Sequence, residues 1–149
     1  MALVVYLSGE IHTNWRELII KRTSEMGLDI EFRYPVLDHA LSDNCGVKLL
    51  GPEENKFWHD HKGAKLNALR NHNAIKNSDI VVVRFGEKYK QWNAAFDAGF
   101  AVAADIPLIV IHSDNHQHAL KEVDALALVI LDDPEKVPSA LNYVINGLL

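Results

Sequence analysis

Short apolar runs alternate with amphipathic stretches along the whole chain. Residues 3–7 (LVVYL) are rich in β-branched side chains and run into Ser8-Gly9, which predicts a strand followed by a turn. Asn14 and Glu17 have the spacing of an N-cap and N3 pair. Trp15, Leu18, Ile19 and Met26 then recur at helical intervals until Gly27 ends the helix. Residues 30–36 (IEFRYPV) alternate, and Pro35 removes a backbone donor, so this is an exposed or edge strand. Residues 37–52 carry Asp, Ser, Asn and Gly punctuation without a clear period and predict a loop. Residues 53–78 predict a helix, interrupted or kinked near Gly63.

Residues 80–85 (IVVVRF) form a near-continuous apolar run, the pattern of a strand buried on both faces of a parallel sheet. Residues 86–91 turn into a helix over 92–104, on which Trp92, Ala95, Phe96, Gly99, Phe100 and Ala103 form one apolar stripe. Residues 107–111 and 126–131 are two more apolar strands, and a helix over 134–146 closes the chain. Five strands separated by helices imply an α/β fold: a doubly wound five-stranded parallel sheet with right-handed crossovers, in a three-layer sandwich. No repeat, low-complexity stretch or linker divides residues 1–149, so one domain is expected. A flavodoxin-like order 2-1-3-4-5 puts the binding crevice where the first and third strands diverge, at their carboxyl ends. That rule nominates Gly9, Glu10 and His12 after the first strand, and Asp38 and His39 after the second. It adds Gly86 and Glu87 after the third strand, and His112, Ser113 and Asp114 after the fourth.

Composition narrows the class. A chain of 149 residues, 48% hydrophobic and 23% charged, can bury roughly 68–70% of its unfolded surface unaided. No apolar run approaches the ~20 residues of a membrane span, and the N-terminus lacks a signal-peptide pattern. Cys45 is the single cysteine, which favours a reducing, cytoplasmic setting. Fifteen basic against 20 acidic residues leave a formal charge of −5, which argues against a nucleic-acid groove.

Several familiar chemistries lack their motifs. Gly-x-Gly-x-x-Gly and the P-loop are absent after the first strand, where SGEIHTN stands. Asp79 precedes the third strand instead of ending it, so an acidic magnesium site there is poorly supplied. The eight histidines invite a zinc reading, but His59 and His61 point to different helix faces at i, i+2. His116 and His118 lack a third ligand at motif spacing. No metal and no cofactor are expected.

At 100° per residue Asp97 lies off the apolar stripe, on a flank with Asn93, Ala94 and Ala101. Those small neighbours leave room for a ligand to approach the carboxylate. Its second-turn position also favours the ionised form through the helix dipole. An exposed helical aspartate is the plainer reading; what argues for a ligand is the helix's place after the buried third strand, facing the crevice.

The arrangement Ala94-x-x-Asp97-x-Gly99-x-Ala101, followed by a strand that begins at Pro107, resembles the nucleoside 2-deoxyribosyltransferase superfamily, as does Tyr6-Leu7-Ser8-Gly9. The similarity is closer to its YtoQ-type branch over essentially the whole chain. It rests on VYLSGEIHTNWR at 5–16, SDN at 42–44 and FGEKYKQWN at 85–93. The resemblance implies that Asp97 occupies the place of a glutamate that attacks the anomeric carbon to leave a covalent glycosyl-enzyme. A carboxylate suits an oxocarbenium-like transition state because it stabilises the cation and can trap it. Asp is one methylene shorter than Glu, and near-attack geometry is demanding, with an error of about 1 Å costing on the order of 100-fold.

The resemblance also implies that Tyr6 orients the carboxylate; read alone, Tyr6 is equally a buried strand tyrosine. Gly9 is a tight turn or a close approach to ligand. Glu10 and His12 stand at the crevice mouth as a general acid or binding groups, with a solvated role as the alternative, and Glu87 has the same standing. Asp79, Gly86 and Asn93 complete the candidate binding set, although an Asp before a strand is often only a cap. Lys88, Tyr89 and Lys90 could hold a phosphate or stack a base, or simply form a solvated loop. Two places depart from the superfamily: Gln91-Trp92-Asn93-Ala94 replaces an Asp-x-Gly-Thr element, and Arg70-Asn71 stands where an Asp helps protonate the leaving base.

The implied function is transfer or hydrolysis of the base of a (deoxy)nucleoside or its monophosphate, by a homodimer or larger oligomer with residues 37–63 as contact or lid. The alternative is a nucleotide- or nucleotide-sugar-binding module that has kept the fold and lost catalysis.

Overall fold

A computed structural model describes residues 1–149. The strands are β1 (Leu3–Gly9), β2 (Ile30–Arg33), β3 (Ile80–Arg84), β4 (Leu108–Ile111) and β5 (Val129–Leu131). All pair in parallel in the order β2-β1-β3-β4-β5. The α/β architecture and strand order are those expected. The central strands are buried along most of their length because their apolar side chains meet a helix on one face or the other. Val5, Leu7, Val82 and Ile111 pack with Trp15 and Ile19 of helix α1 (Trp15–Glu25) and Leu141 of the last helix. Tyr6, Val81, Val83 and Val110 pack on the opposite face with residues of the helices that follow β2 and β3. No helix is long and apolar enough to cross a membrane.

Two elements depart from the periodicity reading. Residues 39–50 are not loop but helix α2 (His39–Leu50). Asp38, nominated above for the crevice, caps α2 by accepting from the Leu41 amide at 3.0 Å. Gly51, at φ 95°, ends it. The helix escapes a period test because it never reaches the sheet. It buries only Gly46, leaving Leu41, Leu49 and Leu50 exposed.

What α2 packs on is α3 (Lys56–Lys76), which runs unbroken through Gly63. A Cβ on Gly46 would collide with the backbone at Lys62 and Gly63, so the glycine pair marks a close helix crossing, not a break.

The third correction concerns helix α4 (Trp92–Ala103). Its buried positions are Ala94, Asp97, Ala98 and Ala101, whereas Trp92 and Phe96 of the apolar stripe are 73% and 61% exposed. The small side chains, not the large ones, face the sheet. They let the helix lie close against β1 and β3, and this carries Asp97 inward.

The remaining elements are a 3-10 turn (Asp114–His116), α5 (Lys121–Asp124) beside α4, another 3-10 turn (Pro134–Lys136) and α6 (Val137–Asn146), which packs against α1.

Candidate active site

The loop after β1 turns sharply at Gly9, whose φ is 111°. A Cβ there would collide with the Arg84 carbonyl oxygen of β3, so the close pairing of β1 with β3 requires glycine. Beneath the loop lies Arg16 of α1, only 2% exposed. Its guanidinium donates to the carbonyls of Leu7 (3.1 Å), Gly9 (3.1 Å) and Glu10 (2.7 Å). Burial pushes its pKa down to about 10, which leaves it charged at neutral pH.

Glu10, a candidate general acid by sequence, belongs to this scaffold. Its carboxylate accepts from the amides of His12 and Thr13, from the Thr13 hydroxyl at 2.6 Å and from Arg84 Nη1 at 3.4 Å. Burial on its own would raise the pKa; the Thr13 hydroxyl, the two amides and Arg84 outweigh it and bring it below the usual range. An ionised carboxylate with its lone pairs taken has no proton to deliver, and the side chain does not line the cleft. Gly86 serves the same scaffold, since a Cβ there would collide with Glu10 Cγ. Its amide is taken by Gln91 Oε1 at 3.0 Å. Glu87 points outward to His116 at 3.5 Å. Asp79 lies at the amino end of β3, away from the crevice: its Oδ2 accepts from the Val4 amide at 2.8 Å, and its own amide bonds the Val4 carbonyl. None of these four residues lines the cleft.

The cleft opens at the carboxyl ends of β1 and β3, with the α2–α3 pair as one wall and the start of α4 as the other. Its volume is about 860 Å³. Of the residues nominated by sequence, Gly9, His12, Tyr89, Lys90, Asn93 and Asp97 line it. Asp97 is 8% exposed, and its Oδ2 accepts from the Ser8 hydroxyl at 2.6 Å. Burial raises its pKa, while the Ser8 hydrogen bond and the nearby charge of His72 oppose the rise.

Tyr6 shares Ser8's face of β1 and is fully buried, its hydroxyl without a partner. Burial first, then the Asp97 carboxylate, push its pKa above the usual phenol range, so the phenol stays protonated.

His12 stands at the mouth, its ring 4.5 Å from that of Tyr89 and 6.1 Å from that of His39. The stretch Arg70-Asn71 divides: Asn71 lines the cleft, while Arg70 turns away to the Tyr34 carbonyl at 2.8 Å.

Several lining residues carry no clear sequence signal for a site. Ser8 stands inside the Tyr6–Gly9 motif, two residues from Tyr6 and so on the same face of β1. Ser42 and Asn67, bonded to each other at 3.1 Å, come together only because α2 packs on α3. His72 has no motif at all.

A doubly wound α/β domain with a buried carboxylate at the switch point of its sheet is the class that fold and cleft define. Residues 6–145 match the family described as "Nucleoside 2-deoxyribosyltransferase YtoQ", and the chain belongs to that family. It is 40% identical over 144 residues to a Bacillus subtilis (strain 168) protein named "Uncharacterized protein YtoQ", covering 97% of each chain. Among solved structures it is similar to a conserved protein from Enterococcus faecalis V583, at TM-score 0.66 and 16% identity over 97% of this chain and 99% of that one. It is also similar to a Clostridium botulinum CMP N-glycosidase, BcmB, at TM-score 0.55 and 13% identity over 93% and 98% of the two chains.

Proposed function

We propose that this chain breaks the N-glycosidic bond of a nucleoside or nucleoside monophosphate, with Asp97 as nucleophile. The observation that carries the reading is the buried Asp97 carboxylate on the cleft, held through Oδ2 by Ser8, with Oδ1 left to attack. Family membership and a fold shared with a CMP N-glycosidase support the same chemistry.

In the first step Oδ1 attacks the anomeric carbon as the base departs with the bonding pair, leaving a glycosyl ester on Asp97. Water or a second base then attacks the same carbon and restores the carboxylate. Hydrolysis and transfer share this intermediate and differ in how well the cleft excludes water. The short Asp side chain is matched by its helix: Ala94, Ala98 and Ala101 bring α4 against the sheet, so the sugar docks close to the backbone. Tyr6 packs under α4 against Ala94 and Ala98, with its protonated phenol near enough to feel the Asp97 charge. Gly9, His12 and Asn93 contact the sugar and its 5′ substituent. We expect the chain to act as a homodimer or larger assembly, in the cytoplasm.

The test incubates the protein with deoxynucleosides plus a free second base, and separately with nucleoside monophosphates. Base exchange or release, abolished in Asp97→Asn, supports the reading. Thermal stabilisation by a nucleotide without turnover would establish the binding-only alternative.

A further inference from the structure

The departing base needs a proton, and the residues that the superfamily resemblance points to for that task cannot supply it. Arg70 is turned away and Asn71 has no acidic proton. Glu10 is an ionised acceptor committed to the β1–α1 loop. The cleft wall nevertheless holds a titratable donor immediately beyond Asn71. His72 of α3 is half-buried and lines the cleft. Its ring stacks on Phe100 of α4, with centroids 4.3 Å apart and planes 19° from parallel. Phe96, one residue before Asp97, flanks it at 5.3 Å. Two phenyl rings thus fix the imidazole plane without occupying its nitrogens. The ring is close enough to Asp97 for its charge to act on that carboxylate.

Resting on the N-glycosidase reading above, we propose that His72 is a catalytic residue that protonates the leaving base. The two groups then divide the work as a nucleophile and an acid/base pair must. In the first step Asp97 Oδ1 forms its bond to the anomeric carbon, the C–N pair passes to the base nitrogen, and the imidazolium gives its N–H proton to the base. The products are a neutral base, a glycosyl ester and a neutral imidazole. In the second step the imidazole takes a proton from the attacking water as the ester bond breaks, and both groups return to their starting charge. The titratable and charged groups that share the cleft with His72 are Asp97 from α4, Tyr89 and Lys90 from the loop before it, His12 from the loop after β1, Asp43 from α2, and Lys56 and Asp60 from α3 itself. An imidazole can give and take back a proton within one catalytic cycle. Among the other histidines, both ring nitrogens of His112 are engaged, by the Ser113 carbonyl and Asp124, His116 bonds the Gly86 carbonyl, and His12 stands against Tyr89 at the cleft mouth.

The experiment compares wild type, Asp97→Asn, His72→Gln and His72→Phe on ordinary substrates and on substrates whose base leaves without help. N7-methylated guanine serves for a purine substrate and a 5-halogenated base for a pyrimidine one. The expected result is a fall in kcat of roughly 100- to 10,000-fold for both His72 variants on the ordinary base. On the activated base the loss shrinks below about tenfold. The phenylalanine variant keeps the stacked packing, and thermal unfolding checks that both variants are folded. Equal losses on the two bases, or no loss, overturn the role of His72 while the Asp97 chemistry stands. Wild-type protein inactive on every substrate overturns the N-glycosidase reading, and the His72 role with it.

Discussion

Ser8 and Asp97 are 89 positions apart in the chain, yet the serine hydroxyl donates to the aspartate Oδ2 at 2.6 Å in a buried setting. The bond joins the end of β1 to the second turn of α4, and it fixes which carboxylate oxygen faces the cleft. A hydrogen bond to a charged group contributes about 1.5–3 kcal/mol. Ser8→Ala is therefore expected to lower kcat/KM roughly 10- to 100-fold, read by steady-state kinetics on whichever nucleoside or nucleotide the wild type turns over. An unchanged value would refute the positioning role.

Asp97 also imposes a pH signature on stability. Its folded-state pKa lies above the ordinary value, so between the two pKa values the folded chain binds more protons than the unfolded one. Stability from this group is then fully present below the unfolded pKa and declines as pH rises through the folded one. Asp97→Asn removes the buried charge. The variant is expected to gain stability relative to wild type as pH rises from the ordinary aspartate pKa through the raised one, as active-site substitutions often do. Urea unfolding at several pH values measures the gap; a gap independent of pH contradicts the prediction.

Glu10 carries the opposite sign. Its pKa is lowered in the fold, so its contribution is present above the unfolded pKa and lost as pH falls through the folded one. Glu10→Gln keeps the shape but loses an ionised acceptor for two amides and a hydroxyl. The expected cost is about 1–3 kcal/mol at neutral pH, diminishing in acid. Denaturant titration at neutral and acidic pH reads it directly.

The α2–α3 wall depends on Gly46. Since a Cβ at that position meets the backbone of Lys62 and Gly63, not the end of a flexible side chain, Gly46→Ala forces the helices apart. Destabilisation of about 1–3 kcal/mol is expected. It should be accompanied by faster amide exchange in α2 and a raised KM, with the amides of β1 and β3 still protected. Exchange accelerated uniformly along the chain would argue against a local effect.

The strand runs of β1, β3 and β4 determine the sheet by themselves, because a strand covered on both faces must be apolar at every position, and few other elements need that. With the intervening helices they point to a flavodoxin-like order, whose crevice nominates Gly9 and His12, while Asp97 comes from its flank of α4 and from the family resemblance. Local pattern fails where an element is partnered by something other than the sheet. Helix α2 buries a glycine against a glycine, so it has no apolar period to detect. In α4 the largest apolar residues, Trp92 and Phe96, stay outside while alanines go in, because closeness to the sheet there outweighs buried area. The same limit divides the carboxylates. Asp79 and Glu10 look as eligible as Asp97 along the chain, and only the tertiary structure shows the first capping the amino end of a strand and the second consumed by loop amides. What a carboxylate can do depends on which donors surround it and whether water reaches it. Those donors, Ser8 for Asp97 and Thr13 with Arg84 for Glu10, arrive from elements that sequence spacing alone does not bring together.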